Sequence, residues 1–120
     1  MYIRDLSIGD WVFINGEPAR VLRLTQIGHS IFKGLSGQMY CGIGGNISPL
    51  PITPEILEKN GISKTYESDE YAVYKGEGFN LTYYTELWEF ERGRNRLMIR
   101  NVHQLQHALR LLGISKWIEL

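Results

Sequence analysis

The chain has 120 residues, with thirteen basic residues balancing thirteen acidic ones, one cysteine, and no apolar run approaching the ~20 residues that span a bilayer. That length buries one ordinary core, so a single domain over residues 1–120 is expected, and the balanced charge supplies no overall field toward nucleic acid or an acidic membrane. Cys41 has no internal disulfide partner and the first residues carry no basic-then-apolar leader, which points to a reducing cytoplasm.

Seven tyrosines, three tryptophans and thirteen glycines suit short strands joined by tight turns. Ser7-Ile8-Gly9-Asp10 reads as a turn into a strand over 11–14. Asn15-Gly16 supplies the two positive-φ positions of a type I′ hairpin, and residues 17–24 return as its second strand. A two-residue loop sets Val12 opposite Ala19 and Trp11 opposite Arg20. Both faces of this ribbon are partly apolar, so it is expected to curl into a small barrel or to be covered on both sides. Pro18, lacking an N–H, is expected at an edge or a bulge. The run Leu6-Ser7-Ile8-Gly9-Asp10-Trp11-Val12, with Asn15-Gly16, Ala19 and Val21, resembles the opening hairpin of SH3-like small barrels, which implies that fold for under a fifth of the chain.

Two short strands are expected over 30–33 and 38–43, closed by a Gly44-Gly45-Asn46 turn. Pro49 and Pro51 force residues 47–52 to run extended. Thr53 caps a short helix, Pro54 takes its first position, Glu55 suits its positive end, and Asn60-Gly61 stops it. Ile52 and Leu57 hold the two positions of a hydrophobic staple. Residues 63–70 are polar and read as a mobile loop. Strands are expected over 71–74, 79–84, 86–90 and 96–99, with Gly93-Arg94 as the last hairpin tip. That register places Trp88 opposite Ile99, Phe90 opposite Leu97 and Glu91 opposite Arg96. Trp88, Phe90, Leu97 and Ile99 then face inward, while Glu89, Glu91, Arg96 and Arg100 face out.

The closing helix is the most fully specified element. Asn101 and Gln104 have capping-box spacing, Val102, Leu105, Leu109 and Leu112 form one stripe, and Gly113-Ile114 read as a Schellman stop. The stripe is expected to cover the inward face of the meander, leaving His103, Gln106, His107 and Arg110 outside. The resulting class is α+β: mainly antiparallel strands, an SH3-like N-terminal hairpin, a meander, one short middle helix and a C-terminal helix packed on the sheet.

Chemistry-bearing residues are sparse. His103 and His107, four apart, have the spacing of two metal ligands, but the helix offers no further acidic or thiol ligand, so two solvated histidines are expected and no metal or other cofactor is assigned. Cys41 has no neighbouring base and reads as a buried structural thiol. Gly42-Ile43-Gly44-Gly45-Asn46 lacks the Gly-Lys-Ser/Thr ending of a phosphate loop. No Gly-x-Ser-x-Gly or His-Glu-x-x-His signature occurs, and a catalytic role is not expected. Tyr66, Tyr71, Tyr74, Phe79, Tyr83 and Tyr84 exceed what one core layer absorbs, so some are expected at the surface, either as a protein-contact surface or as a cross-strand aromatic ladder that only stabilises the sheet. Arg92, Arg94, Arg96 and Arg100 offer an alternative grip on nucleic acid or a small nucleotide, with Glu86, Glu89 and Glu91 interleaved against it.

Three blocks in chain order, Ile8-Gly9-Asp10-Trp11-Val12, Leu50-Pro51-Ile52-Thr53-Pro54-Glu55-Ile56-Leu57-Glu58-Lys59-Asn60-Gly61 and Val102-His103-Gln104-Leu105-Gln106, resemble a family of small uncharacterised proteins from anaerobic gut bacteria and their phages or other mobile elements. The resemblance implies a cytoplasmic accessory protein, places His103 within the shared motif and leaves His107 outside it, and brings no activity with it. The expectation is a non-enzymatic module that binds a protein partner or a second copy of itself through Tyr83, Tyr84 and the His103, Gln106, His107 and Arg110 face.

Overall fold

The structure, a computed structural model, describes residues 5–25, 30–42 and 47–120. The expected Gly44-Gly45-Asn46 turn lies outside them. The fold is α+β and mainly antiparallel, in two compact units over Met1–Leu50 and Pro51–Leu120, each with its own five-stranded sheet.

The first unit holds β1 (Trp11–Ile14), β2 (Glu17–Arg23), β3 (Ser30–Gly34), β4 (Met39–Gly42) and β5 (Ile47–Pro49), in the order β4-β3-β2-β1-β5. Its hairpin has the expected register, Val12 opposite Ala19 and Trp11 opposite Arg20, because Asn15 (φ 49°) and Gly16 (φ 81°) take the two left-handed positions. Alternation then buries Val12, Ile14, Ala19, Val21 and Phe32 with Leu6 in one cluster, and Leu24, Tyr40 and Ile47 pack against it. Trp11, on the other face of β1, is also buried, with the Arg20 guanidinium 5.0 Å from its ring.

Two expectations for this unit are corrected. Pro18 sits in β2, a central strand, opposite Phe13. Next to a two-residue loop the 14/17 pair is hydrogen-bonded and the 13/18 pair is not, and the ladder to β3 begins only at Ala19, so no rung needs the missing N–H. Cys41 is exposed, because β4 is an edge strand whose Tyr40, not Cys41, shares the core side with Phe32.

Below the hairpin, the Glu17 carboxylate gathers the β3–β4 turn. It accepts the Ser36 N–H at 3.0 Å, the Ser36 hydroxyl at 2.9 Å and the Tyr40 hydroxyl. The Tyr40 bond first, then Ser36, holds the Glu17 carboxyl below the usual carboxylate range, while the same bond pushes the Tyr40 phenol up. A depressed acid stabilises the fold fully above its unfolded pKa, and that contribution fades as pH falls through the lower folded value. Tyr40→Phe is therefore expected to raise the Glu17 titration midpoint, read from its carboxyl carbon by NMR, toward an ordinary glutamate. An unchanged midpoint contradicts the assignment. Gly34 leaves room for this carboxylate: a Cβ there would collide with Glu17 Oε1.

The second unit holds α1 (Pro54–Lys59), β6 (Ser63–Glu67), β7 (Ala72–Gly76), β8 (Phe79–Tyr84), β9 (Leu87–Arg92), β10 (Asn95–Ile99) and α2 (Val102–Leu111). Its sheet is a plain meander, β10-β9-β8-β7-β6. Thr53 Oγ1 accepts the Ile56 N–H at 3.3 Å, Ile52 and Leu57 are both buried, and Gly61 (φ 76°) ends α1 with Ile62 N–H bonded to the Leu57 carbonyl at 2.9 Å. Residues 63–67 form an edge strand instead of the expected loop. All five are exposed, so neither face carries the apolar alternation by which a strand is recognised, and the register slips between Lys64 and Tyr66.

The last hairpin has the expected register, and Trp88, Phe90 and Ile99 are buried on one side with Tyr74, Phe79 and Leu81. Phe79 stacks on Phe90 at 5.2 Å and Tyr74 meets Trp88 at 5.4 Å. In α2, Gln104 Oε1 reaches back to the Arg100 and Asn101 N–H groups at 2.8 and 3.2 Å. Gly113 (φ 76°) closes the helix, with Ile114 N–H on the Leu109 carbonyl at 2.8 Å and Gly113 N–H on that of Arg110 at 3.1 Å. Val102, Leu105, Ala108 and Leu109 are buried, Leu112 is half-buried, and the Arg92 guanidinium donates to the Leu112 carbonyl, tying β9 to the helix end.

Candidate functional site

Strand alternation splits the tyrosines. Tyr83 lies opposite Ala72 and Trp88, on the side of the second sheet that carries the core, with its ring 4.7 Å from Trp88, and it is 36% exposed, as Tyr71 is. Tyr84, one residue on, points to the outer side. There its ring lies 6.0 Å from Tyr71, and Tyr71 lies 5.3 Å from Tyr66. Tyr66 is 50% exposed and Tyr84 42%. The expected pair Tyr83 and Tyr84 is thus divided, and the contiguous group is Tyr66, Tyr71 and Tyr84. Tyr74 and Phe79 go to the core. Tyr66 was separable from the core set only once residues 63–67 were known to be a strand.

The outer side continues across all five strands. Tyr66 faces Val73, Val73 faces Thr82, Thr82 faces Glu89 and Glu89 faces Met98, which is 53% exposed; beside this row Tyr84 faces Leu87. The face is therefore aromatic at one edge and apolar at the other, and the two carboxylates between them, Glu89 and Glu91, lie 3.9 and 3.8 Å from Arg96. Residues 66–91 contain seven acidic residues and one basic residue, Lys75, although the whole chain is neutral. Tyr66, first by its charge and then by a hydrogen bond, followed by burial and by Tyr84 and Glu70, pushes the Tyr71 phenol above its usual range.

The second expected surface is largely enclosed. His103 is 7% and Gln106 2% exposed, and the Gln106 amide is bonded to Lys116 and Ile118 of the segment after α2. Sequence periodicity put both residues on the solvent side because it treats the helix as meeting one apolar surface. His107 is half-buried and Arg110 exposed, with its guanidinium 5.3 Å from the Trp117 ring. The His103 and His107 rings are 5.9 Å apart, as their spacing implies, and among the described residues no group of three or more His, Cys, Asp or Glu gathers into a metal set.

The arginines do not form one free cluster. Arg92 is committed to the end of α2, and Arg96 lies 3.9 Å from Glu89 and 3.8 Å from Glu91, the cross-strand pairing expected of the hairpin. Arg94 and Arg100 are exposed. Among the described residues no helix is long and apolar enough to cross a membrane.

No protein-family model, curated protein or solved structure matches the chain.

Proposed function

We propose that this chain is a non-enzymatic binding module for a protein partner, docking through the outer face of its second sheet. One observation carries the reading: Tyr66, Tyr71 and Tyr84 form a connected, solvent-exposed aromatic group inside a strongly acidic stretch. Rigid tyrosines bury large area for little rotamer entropy, and a carboxylate rim steers a basic partner toward them. Self-association through this face would bring two acidic rims together, so a foreign basic surface is the better complement. The commitments of Arg92 and Arg96 make the arginine hairpin a weaker grip for nucleic acid.

The cytoplasmic accessory role implied by the family resemblance fits such a module. The strand order of the first unit, a four-strand meander with β5 returning beside β1, supports an SH3-like barrel.

The test compares tagged wild-type chain with a Tyr66→Ser/Tyr71→Ser/Tyr84→Ser variant, quantifying proteins retained from the native cell at low and high salt. The reading expects a specific partner whose retention falls at least tenfold in the variant, falls with salt, and persists in Leu111→Ser, a control on an exposed helix position. Equal retention by all three chains contradicts it.

A further inference from the structure

The segment that follows α2 is held as if it were a bound peptide. After the Gly113 turn, residues 114–120 run without regular secondary structure, and side chains bond the Lys116 carbonyl, the Ile118 N–H and both backbone groups of Glu119. Gln106 donates from Nε2 to the Lys116 carbonyl at 2.8 Å and accepts the Ile118 N–H on Oε1 at 2.8 Å. Asn60, at the end of α1, donates from Nδ2 to the Glu119 carbonyl at 2.8 Å and accepts the Glu119 N–H on Oδ1 at 2.7 Å. A further bond from Asn60 Nδ2 to the Ile56 carbonyl at 2.7 Å fixes that amide on its helix.

A primary amide offers one donor and one acceptor side by side, which is what an extended backbone presents in turn. Two such amides recognise a peptide main chain whatever its side chains, as an added strand is recognised at a sheet edge. Register comes from a single anchor, Ile118, which is fully buried, while Trp117 before it and Glu119 after it are exposed. Asn60 keeps its bond to Ile56 when the segment leaves, and Gln106 is carried on α2, which has its own caps. At its start, Gly113, Ile114, Ser115, Lys116 and Trp117 border a hollow of about 220 Å³ with Arg110.

We propose that Asn60, Gln106 and the Ile118 pocket form a peptide-acceptor site for an extended segment with one branched aliphatic anchor, and that the chain's own residues 116–119 are its resident, displaceable ligand. The incoming ligand is an extended partner segment whose aliphatic anchor takes the place of Ile118, with the residues on either side of the anchor left exposed as Trp117 and Glu119 are. This site is independent of the tyrosine face, and its failure leaves that reading untouched.

The probe is a synthetic peptide of residues 114–120. In the wild-type chain the tethered strap competes at an effective concentration on the order of mM, so the peptide binds weakly. Full-length Ile118→Asp, whose strap cannot seat its anchor, is expected to bind the peptide at least tenfold more tightly than wild type. Adding Gln106→Ala to that chain is expected to weaken binding at least tenfold, as is an Ile118→Asp change in the peptide. A folded Ile118→Asp chain that binds no better than wild type, or binds the altered peptide equally, overturns the proposal. Should that variant unfold, hydrogen exchange on the wild-type chain decides. Ile118 and Glu119 amides exchanging at least tenfold faster than Leu109 support a displaceable strap, and equal rates set by global unfolding overturn it.

Discussion

Leu109→Ala is expected to lower the free energy of unfolding by about 2–5 kcal/mol, the cost of removing a buried leucine and leaving a partly relaxed cavity. Leu111→Ala, two positions on in the same helix, is expected to change it by no more than about 0.5 kcal/mol, as for ordinary surface substitutions. Leu109 is fully buried and Leu111 is 74% exposed, while the two substitutions have the same chemistry and nearly the same helix propensity. Urea unfolding of both variants isolates the docking of α2 from its intrinsic stability. Similar losses from the two would mean that α2 does not present its 102–105–109 stripe to the core.

Asp10→Ala is expected to cost the first unit about 1–3 kcal/mol, because it removes the acceptor from the part-buried Ser7 N–H. Asp10 is completely buried, and its Oδ2 accepts the Ser7 N–H at 2.7 Å. The turn it closes is also bonded to β2, with Gly9 N–H on the Val21 carbonyl at 2.7 Å and Val21 N–H on that of Asp10 at 2.9 Å, while Gly9 takes φ 91°. Losing the carboxylate therefore loosens both the turn and the entry to β1. Asp10→Asn keeps one acceptor oxygen and is expected to lose less. Thermal unfolding that ranks Asn below Ala, or finds Ala neutral, would remove Asp10 from this role.

Local signals in this sequence were strong wherever they named a backbone geometry. Asn15-Gly16, Thr53-Pro54, Asn60-Gly61, Gln104 and Gly113 each specify a turn or cap by the conformation that residue type permits, and the registers of both sharp hairpins followed from loop length alone. Burial on faces that meet a single apolar surface was equally legible, as at Trp88, Phe90 and Ile99.

What escaped depends on distant chain. β6 has no periodicity because an exposed edge strand needs none, and its pairing with β7 is a property of the sheet. Gln106 and His103 look solvated on a helical projection, and nothing in the helix announces that residues 116–118 return to satisfy Gln106. The division of Tyr83 from Tyr84 is implied by alternation once the strand is placed. Joining Tyr84 to Tyr71 and Tyr66 requires the order of three strands.

The functional account rests on the outer face of the second sheet meeting another protein. Covalent footprinting of the tagged chain, in buffer and in native cell extract, tests this most directly by reading the reactivity of each aromatic and sulfur side chain. Protection in extract of Tyr66, Tyr71, Tyr84 and Met98, with Trp117 and Met39 unchanged, is the predicted result. Unchanged reactivity at the three tyrosines, or protection centred on Trp117 instead, would contradict it.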